Sequence, residues 1–308
     1  MSNLHSYLAK YYFVISPWDI LLEDCVFEHQ MDDALNVHGN YAVISRVLSS
    51  SEIEVKFGHS QQRGINAFKP GDHVSFSKSD TLLEYFTAEI DSAEMVNQRF
   101  IRIGLKEAVD SHIEIGDVID NMTRVPNITV RNCRLGKNRA RGLVIKTPGK
   151  VIIEENTIYS GGAGILLRTD ADFWYESGPV KDLTIRENRF VNCLRGPWGR
   201  AVIDIFPKLS NIHRMEHCYH KNITIERNTF ESFEPAILAA DSVDGISFRY
   251  NTVKKTTECL PYRPVKKMIE LNACRNISVG FNTVIGFEEG METVNNSKLI
   301  VEIANRLF

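Results

Sequence analysis

Two adjacent aspartates, Asp32 and Asp33, stand in the stretch HQMDDALNVHGNY, and Asn36 and His38 follow at alternate positions. Paired carboxylates can exchange protons with a substrate, bind a metal ion, or simply decorate a turn. If residues 35–38 form a strand, Asn36 and His38 share its outward face, because successive side chains of a strand point to opposite sides. The acid pair then lies at an exposed turn just before that strand. Its chemistry depends on the elements that surround this turn.

Composition and spacing exclude several classes of function. The 308 residues include 36 basic and 39 acidic ones, for a net charge of −3, and no basic run occurs. No nucleic-acid partner is therefore predicted. No apolar stretch reaches the ~20 residues of a transmembrane helix, so no membrane span is predicted. The acid pair lacks further ligands at a recognisable spacing, which predicts neither a metal site nor a cofactor.

A repeated segment organises the chain. Each copy, from PNITVRNCRL to RNISVGFNTV, is a short alternating strand followed by an asparagine. The repeated asparagines are Asn132, Asn156, Asn188, Asn228, Asn251 and Asn282. A seventh copy places Asp24 at the same position and Cys25 opposite Cys133.

The intervals between these asparagines are 24, 32, 40, 23 and 31 residues. The shorter ones match the period of stacked coils, and the longer ones indicate loop insertions. Asparagine suits a ladder between coils because its amide both donates and accepts hydrogen bonds. The alternative is a β-sandwich with scattered Asn-rich turns. Six copies in register favour the coils.

We predict an all-β chain, a right-handed parallel β-helix with an inserted small β-barrel. Residues 1–39 form the first coils, and DDALNVH occupies the second strand of one of them. Residues 40–118 form the barrel, because segments such as SEIEVKF and RFIRIGL alternate at close spacing without the repeat. Residues 119–308 form the remaining coils and the C-terminal end.

Three motifs, DDALNVHG, NRARGLVIKTPGKV and DADFWYESG, resemble the family 110 glycoside hydrolases. The resemblance covers most of the chain from about residue 11 to 206. It implies an exo-acting α-1,3-galactosidase of bacterial type, which acts by inversion on galactose-containing glycans. Full-length relatives are expected to be secreted or periplasmic. Because the first residues show no signal peptide, we interpret the chain as a piece of a longer protein or a divergent copy.

The resemblance assigns catalysis to Asp32 and Asp33. An inverting glycosidase needs one carboxylic acid to protonate the leaving oxygen and one carboxylate to activate water. Which aspartate takes which role stays open, and an acidic turn without catalytic function is the alternative. The family carries another aspartate about one coil upstream. The matching stretch here begins at Ala9 and contains no carboxylate, so the chain is expected to be impaired if that acid is required.

Further residues are candidates for substrate binding. Asn36 and His38 follow the acid pair, and Arg139 and Arg141 are expected beside it on the next coil. The arginines can bind sugar hydroxyls, orient a carboxylate, or form surface ion pairs.

The motif RTDADFWYESG joins Asp172, Trp174 and Glu176 in a loop of one long coil. Its aromatic faces beside acids suit sugar recognition, and an ordinary structured loop is the alternative. Asp204 interrupts an apolar strand and is expected to be a satisfied, outward-facing acid. Two other functions remain open at this point, a polysaccharide lyase and a non-catalytic carbohydrate-binding β-helix.

Overall fold

A computed structural model describes residues 11–14, 16, 18–109, 111–209, 217–261, 267–287, 292–294 and 306–307. In this part the regular structure consists of strands and one 3₁₀-helical turn at Ser60–Gln62. None of the described segments is a helix of the length and apolarity that crossing a membrane requires. Position 9, where the sequence lacks the expected upstream acid, lies outside the described residues.

The strands divide into two coil regions that flank a barrel. The first coils contain β1 (Tyr11–Val14), β2 (Ile20–Glu23), β3 (Val26–Glu28) and β4 (Leu35–Asn40). The barrel contains β5 (Ala42–Val47), β6 (Glu52–Phe57), β7 (His73–Ser77), β8 (Glu84–Met95), β9 (Phe100–Leu105) and β10 (Val118–Asn121).

The coils then resume. Their strands are β11 (Ile128–Arg131), β12 (Arg134–Asn138), β13 (Leu143–Ile145), β14 (Lys150–Glu154), β15 (Thr157–Ser160), β16 (Ile165–Thr169), β17 (Glu176–Ser177), β18 (Asp182–Arg186), β19 (Arg189–Val191), β20 (Ile203–Pro207), β21 (His220–Glu226), β22 (Thr229–Ser232), β23 (Leu238–Asp241), β24 (Val243–Arg249), β25 (Thr252–Lys255), β26 (Ile269–Asn272), β27 (Arg275–Gly280), β28 (Thr283–Ile285), β29 (Glu292–Val294) and β30 (Arg306–Leu307).

Three parallel sheets form the walls of the coils. The first has the order β1-β4-β13-β16-β20-β23-β26-β29, the second β2-β11-β14-β18-β21-β24-β27, and the third β3-β12-β15-β19-β22-β25-β28-β30. Every second side chain along a strand points inward, and residues at equivalent positions of neighbouring coils stack on each other. Phe190 and Phe230, for example, stack with centroids 4.8 Å apart and planes 7° from parallel. The predicted parallel β-helix with an inserted barrel is confirmed.

The asparagine ladder begins one coil later than predicted. Asn156 Nδ2 donates to Asn188 Oδ1 at 2.9 Å, and the pattern continues through the later copies. Asn132 does not belong to it, because Arg131 pairs with Glu154 and the ladder position therefore falls on Cys133. Cys133 N donates to Asn156 Oδ1 at 2.8 Å. Asn132 lies one residue earlier, in a column of left-handed residues that includes Asp24.

The thiol of Cys133 takes over the donor role of an asparagine amide. Its Sγ contacts the Leu22 carbonyl oxygen at 3.5 Å, as Asn156 Nδ2 contacts the Val130 oxygen at 2.8 Å one coil further on. Cys25 N in turn donates to Cys133 Sγ at 3.4 Å, and the two residues lie opposite each other, as predicted. The ladder position therefore changes from asparagine to cysteine at the coil that precedes the first ladder asparagine.

The inserted barrel closes on itself through antiparallel strands in the order β10-β5-β6-β9-β8-β7. Its own apolar core includes Ile53, Phe57 and Phe76, each at most 1% exposed. Only Tyr41 separates β4 of the coil from β5 of the barrel. The short β17 pairs antiparallel with the end of β4. The insertion and the loop that carries β17 therefore meet at the strand that follows the acid pair.

Candidate active site

The acid pair lies at the turn before β4. Both carboxylate oxygens of Asp33 accept hydrogen bonds from Arg141 on the next coil. Arg141 Nε donates to Asp33 Oδ1 at 2.6 Å, Nη2 to Oδ2 at 2.7 Å, and the Arg141 backbone N–H to Oδ1 at 3.0 Å. Asp33 is 0% exposed. The expectation of an exposed turn is wrong for Asp33, because the guanidinium of the neighbouring coil covers its carboxylate.

Asp32 differs from Asp33 in its environment. It is half-buried, and its Oδ1 accepts the backbone N–H of Asp33 at 3.0 Å. The two neighbours therefore face different surroundings, one a guanidinium and the other partly the protein surface. Arg141 orients a carboxylate, which is one of the roles that its sequence position allowed.

A polar cluster covers the middle of β4. Asn36 Nδ2 donates to Glu176 Oε1 at 3.3 Å, His38 Nε2 lies 3.4 Å from the same oxygen, and Lys146 forms an ion pair with Glu176 Oε2. Asn36 and His38 do face outward, but they are buried, because β17 and its loop lie over them. His38 Nδ1 donates to the Gly39 carbonyl at 2.7 Å, which fixes the orientation of the ring.

Lys146 is a further candidate site residue, which the sequence motifs did not indicate. It follows β13, its backbone N–H donates to the Val37 carbonyl at 2.8 Å, and its side chain is 4% exposed. The signal in the sequence was a lysine after the apolar run GLVI, at the position that stacks on His38. Gly178, with φ +124°, lets the loop pass directly over the Lys146 carbonyl, where a Cβ would lie 2.3 Å from that oxygen.

The loop between β16 and β17 is held by Asp170. Its Oδ1 accepts the backbone N–H groups of Phe173, Trp174 and Tyr175 at 3.0, 2.7 and 3.1 Å. Asp172, in contrast, forms an exposed ion pair with Lys208 at 2.7 Å. The loop thus brings Glu176 and Trp174 to the site, whereas Asp172 binds a lysine away from it.

Two other candidates lie elsewhere on the coils. The guanidinium of Arg139 lies 5.8 Å from the Trp198 ring centroid, and so it faces a residue two coils further on instead of the acid pair. Asp204 is 1% exposed and accepts from Arg200 Nε at 2.8 Å and from its backbone N–H at 2.8 Å. Asp204 is therefore a satisfied outward-facing acid, as expected.

A cavity of about 260 Å³ opens beside this cluster. His38 and Asn40 line it from β4, Trp174 and Glu176 from the loop, and the barrel closes the remaining side. Polar groups converge at its base, and an aromatic ring forms part of its wall. This combination is typical of a small-molecule binding site.

A second cavity, of about 200 Å³, is lined by Asp120 together with Tyr41, Lys181 and Tyr219. The pKa of Asp120 is raised to about 7, and burial is the main cause. Ser177, the Asn121 backbone and Lys181 lower the pKa and Glu84 raises it, and these effects are included in that value. Among the described residues, no group of three or more His, Cys, Asp or Glu side chains could hold a metal ion.

Comparisons with known proteins agree with this architecture. The model "GLAA-B beta-barrel domain II" matches residues 52–119, and "Right handed beta helix region" matches residues 118–305. Alpha-1,3-galactosidase B of Bacteroides thetaiotaomicron is 38% identical over 268 residues, which cover 86% of this chain and 43% of the relative. Alpha-1,3-galactosidase A of Bacteroides fragilis is 34% identical over 259 residues, covering 83% of this chain and 43% of the relative.

Alpha-1,3-galactosidase B of Akkermansia muciniphila is 34% identical over 269 residues, covering 86% of this chain and 34% of the relative. The chain thus spans less than half the length of these curated relatives. The similarity nevertheless runs through both the barrel and the coils, because it covers 83–86% of this chain. The chain belongs to the right-handed β-helix proteins and, among them, to the family 110 glycoside hydrolases whose motifs it shares.

Proposed function

We propose that the protein releases terminal α-linked galactose from glycans by inverting hydrolysis, most specifically at α-1,3 linkages. The observation that carries this proposal is the carboxylate of Asp33, fixed by Arg141, beside Asp32 and the polar cluster around Glu176. Relatives of this chain are named alpha-1,3-galactosidases, which supports the choice of sugar and linkage.

In the proposed reaction, Asp32 and Asp33 supply the acid and the base between them. One carboxylic acid gives its proton to the glycosidic oxygen, and the bond from that oxygen to the anomeric carbon breaks. One carboxylate takes a proton from water, whose oxygen attacks the anomeric carbon from the opposite face. Galactose leaves with inverted configuration, and no electron acceptor or cofactor is needed. Arg141 keeps Asp33 in position during these steps.

The remaining side chains bind and orient the glycan. Asn36, His38 and Glu176 present amide, imidazole and carboxylate groups at one place, which suits the hydroxyl groups of a hexose. Trp174 is 37% exposed at the cavity wall, and its ring offers an apolar surface for the C–H face of a sugar. Arg139 and Asp172, which contact Trp198 and Lys208, are candidates only for the outer parts of a longer glycan.

The decisive experiment incubates the purified chain with an α-1,3-linked digalactoside. We expect free galactose, initially as the β-anomer by NMR, because inversion of an α-linkage gives that product. A parallel incubation with a uronate polymer tests for a lyase, since only a lyase produces unsaturated ends that absorb ultraviolet light.

An inactive parent that still retains galactosides on an affinity column would overturn the hydrolase in favour of a binding protein. The variant Ala9→Asp separates two causes of inactivity. Galactose release by this variant alone would mean that the acid pair is intact and that an upstream acid is what the parent lacks.

A further inference from the structure

The barrel turn that contains Gln62 forms hydrogen bonds to the loop that carries Glu176. Gln62 Nε2 donates to the carbonyl oxygens of Trp174 at 3.2 Å and Tyr175 at 2.8 Å, and to Asn40 Oδ1 at 3.2 Å. Gln62 itself is 4% exposed. A single amide therefore joins the barrel, the loop and the end of β4.

A second contact between the barrel and the loop, between Gly58 and Tyr175, is too close to accommodate a side chain at position 58. The ring of Tyr175 lies flat against the backbone of Gly58, so that a Cβ at position 58 would lie 2.3–2.5 Å from ring atoms. Tyr175 is also bound through its backbone, since its carbonyl accepts the N–H of Tyr41 at 2.9 Å. Because Tyr175 directly precedes Glu176, these contacts determine where the Glu176 carboxylate lies.

The barrel also contributes an aromatic wall. The ring centroids of His59 and Trp174 are 4.8 Å apart, and Trp174 meets Phe173 edge to face at 5.0 Å. Phe173 is 56% exposed, so this aromatic wall, formed by His59, Phe173 and Trp174, borders the solvent. Apolar rings around a polar pocket suit a ligand with both C–H faces and hydroxyl groups, such as an oligosaccharide.

The position of the wall along β4 indicates which part of a glycan it meets. At about 3.3 Å per residue of extended chain, the five residues from Asp33 to His38 span roughly 16 Å. That distance exceeds the length of one sugar ring. A glycan whose terminal unit lies at the acid pair therefore reaches the cavity with its inner units, on the leaving-group side of the bond.

We infer that His59 and Gln62 of the inserted barrel act in recognition of the leaving-group side, an inference that rests on the proposed hydrolysis. His59, with Trp174, is a specificity-determining residue that stacks on the inner sugar units. Gln62 is a positioning residue that acts through Trp174 and Glu176. The barrel thus forms one wall of the glycan site.

The test compares two substrates with the full chain. One is a trisaccharide that ends in α-1,3-galactose, and the other is α-galactosyl fluoride, which has no inner sugar. In His59→Asn, asparagine keeps an acceptor for the Gln61 N–H that His59 Nδ1 caps at 3.3 Å. We expect kcat/KM on the trisaccharide to fall about fivefold to tenfold, mainly through KM, in line with the loss of one aromatic contact. The fluoride should react as with the parent.

His73→Ala is the matched control, because His73 is an exposed histidine on the same barrel. Gln62→Met keeps the length of the side chain but removes its donors. We expect KM for the trisaccharide to rise while the fluoride reacts as with the parent, because Trp174 and Glu176 are displaced from the inner sugar units. A space-filling role would leave KM for the trisaccharide unchanged. Equal losses on both substrates for His59→Asn, or no loss on either for both variants, would overturn the inference.

A failure of the proposed hydrolysis is distinguishable from a failure of this inference. If the parent cleaves neither substrate, calorimetry compares the binding of the trisaccharide with that of methyl α-galactoside. His59→Asn should then weaken only the trisaccharide. If the parent binds neither, or the variant weakens both equally, the barrel is not part of a glycan site.

Discussion

Asp33 accepts three hydrogen bonds from Arg141 across a coil boundary, although 108 residues separate them in the chain. Removing the charge of Asp33 leaves a half-buried guanidinium with a weaker acceptor. We predict that Asp33→Asn lowers the free energy of unfolding by about 1–3 kcal/mol and also lowers activity. Urea unfolding followed by circular dichroism measures the first effect. A variant as stable as the parent would contradict the structural role.

Substitution of Asp32 is expected to affect activity but not stability, in contrast to substitution of Asp33. The carboxylate of Asp32 accepts the backbone N–H of Asp33 within its own turn and is partly exposed. Asp32→Asn should therefore leave the unfolding midpoint close to that of the parent, while kcat falls by about 10²–10⁴-fold if Asp32 is the acid or base. Assay of galactose release from the digalactoside decides this. Full activity in this variant would remove Asp32 from the mechanism.

The ion pair of Lys146 and Glu176 is buried beside Asn36 and His38. Lys146→Met leaves the Glu176 carboxylate without its lysine partner, and we predict a loss of about 1–3 kcal/mol in the free energy of unfolding. The double variant with Glu176→Gln should lose less than the sum of the two single variants, because the charge left behind is gone. Additive losses would show that the two groups are not coupled.

Asp120 makes stability depend on pH. Its pKa in the folded protein is about 7, above the usual 3.8, so its protonated form stabilises the fold. This contribution is complete below about pH 4 and is lost as the pH rises through 7, by about 1.4 kcal/mol per pH unit. Asp120→Asn should remove this loss, and its advantage over the parent should grow from pH 5 to pH 7.

The comparison is made by urea unfolding of both proteins at each pH. Burial lowers the pKa of His220 to about 3, so stability from this group rises between about pH 3 and 6.5. That opposite trend is common to parent and variant and cancels in the difference. Parallel curves for the two proteins would contradict the prediction for Asp120.

Cys133 occupies the ladder position of an asparagine and forms equivalent contacts. We therefore predict that Cys133→Asn costs less free energy of unfolding than Asn228→Leu. Cys133→Asn should keep the contacts to Cys25 and Leu22 and change the free energy of unfolding by less than about 1 kcal/mol. Asn228→Leu should cost about 2–4 kcal/mol, because it leaves the buried N–H groups of Asn188 without the acceptor they use. Thermal unfolding of both variants checks this. Equal losses of stability in the two variants would contradict the equivalence of Cys133 and a ladder asparagine.

The repeat predicted which coils are neighbours, and therefore that Arg141 lies beside the acid pair. It did not predict the burial of Asp33, because a period says which residues stack but not how side chains fill the space between them. The conformation of the loop that carries Glu176 could not be predicted either. It depends on Gln62 and Gly58, which belong to the barrel and share no periodicity with the coils.

The barrel insertion separates the strands that carry the acid pair from the coil on which they stack. Adjacent coils after the insertion are 23–40 residues apart in the chain, whereas Asp33 and Arg141 are 108 apart. Closing the longer loop costs roughly 1.4 kcal/mol more entropy than closing a 23-residue coil, unless the barrel has already brought its ends together. Folding of the later coils and of the barrel is thus expected to precede docking of the first coils, and among the described residues the turn with Asp32 and Asp33 is then expected to form late during refolding.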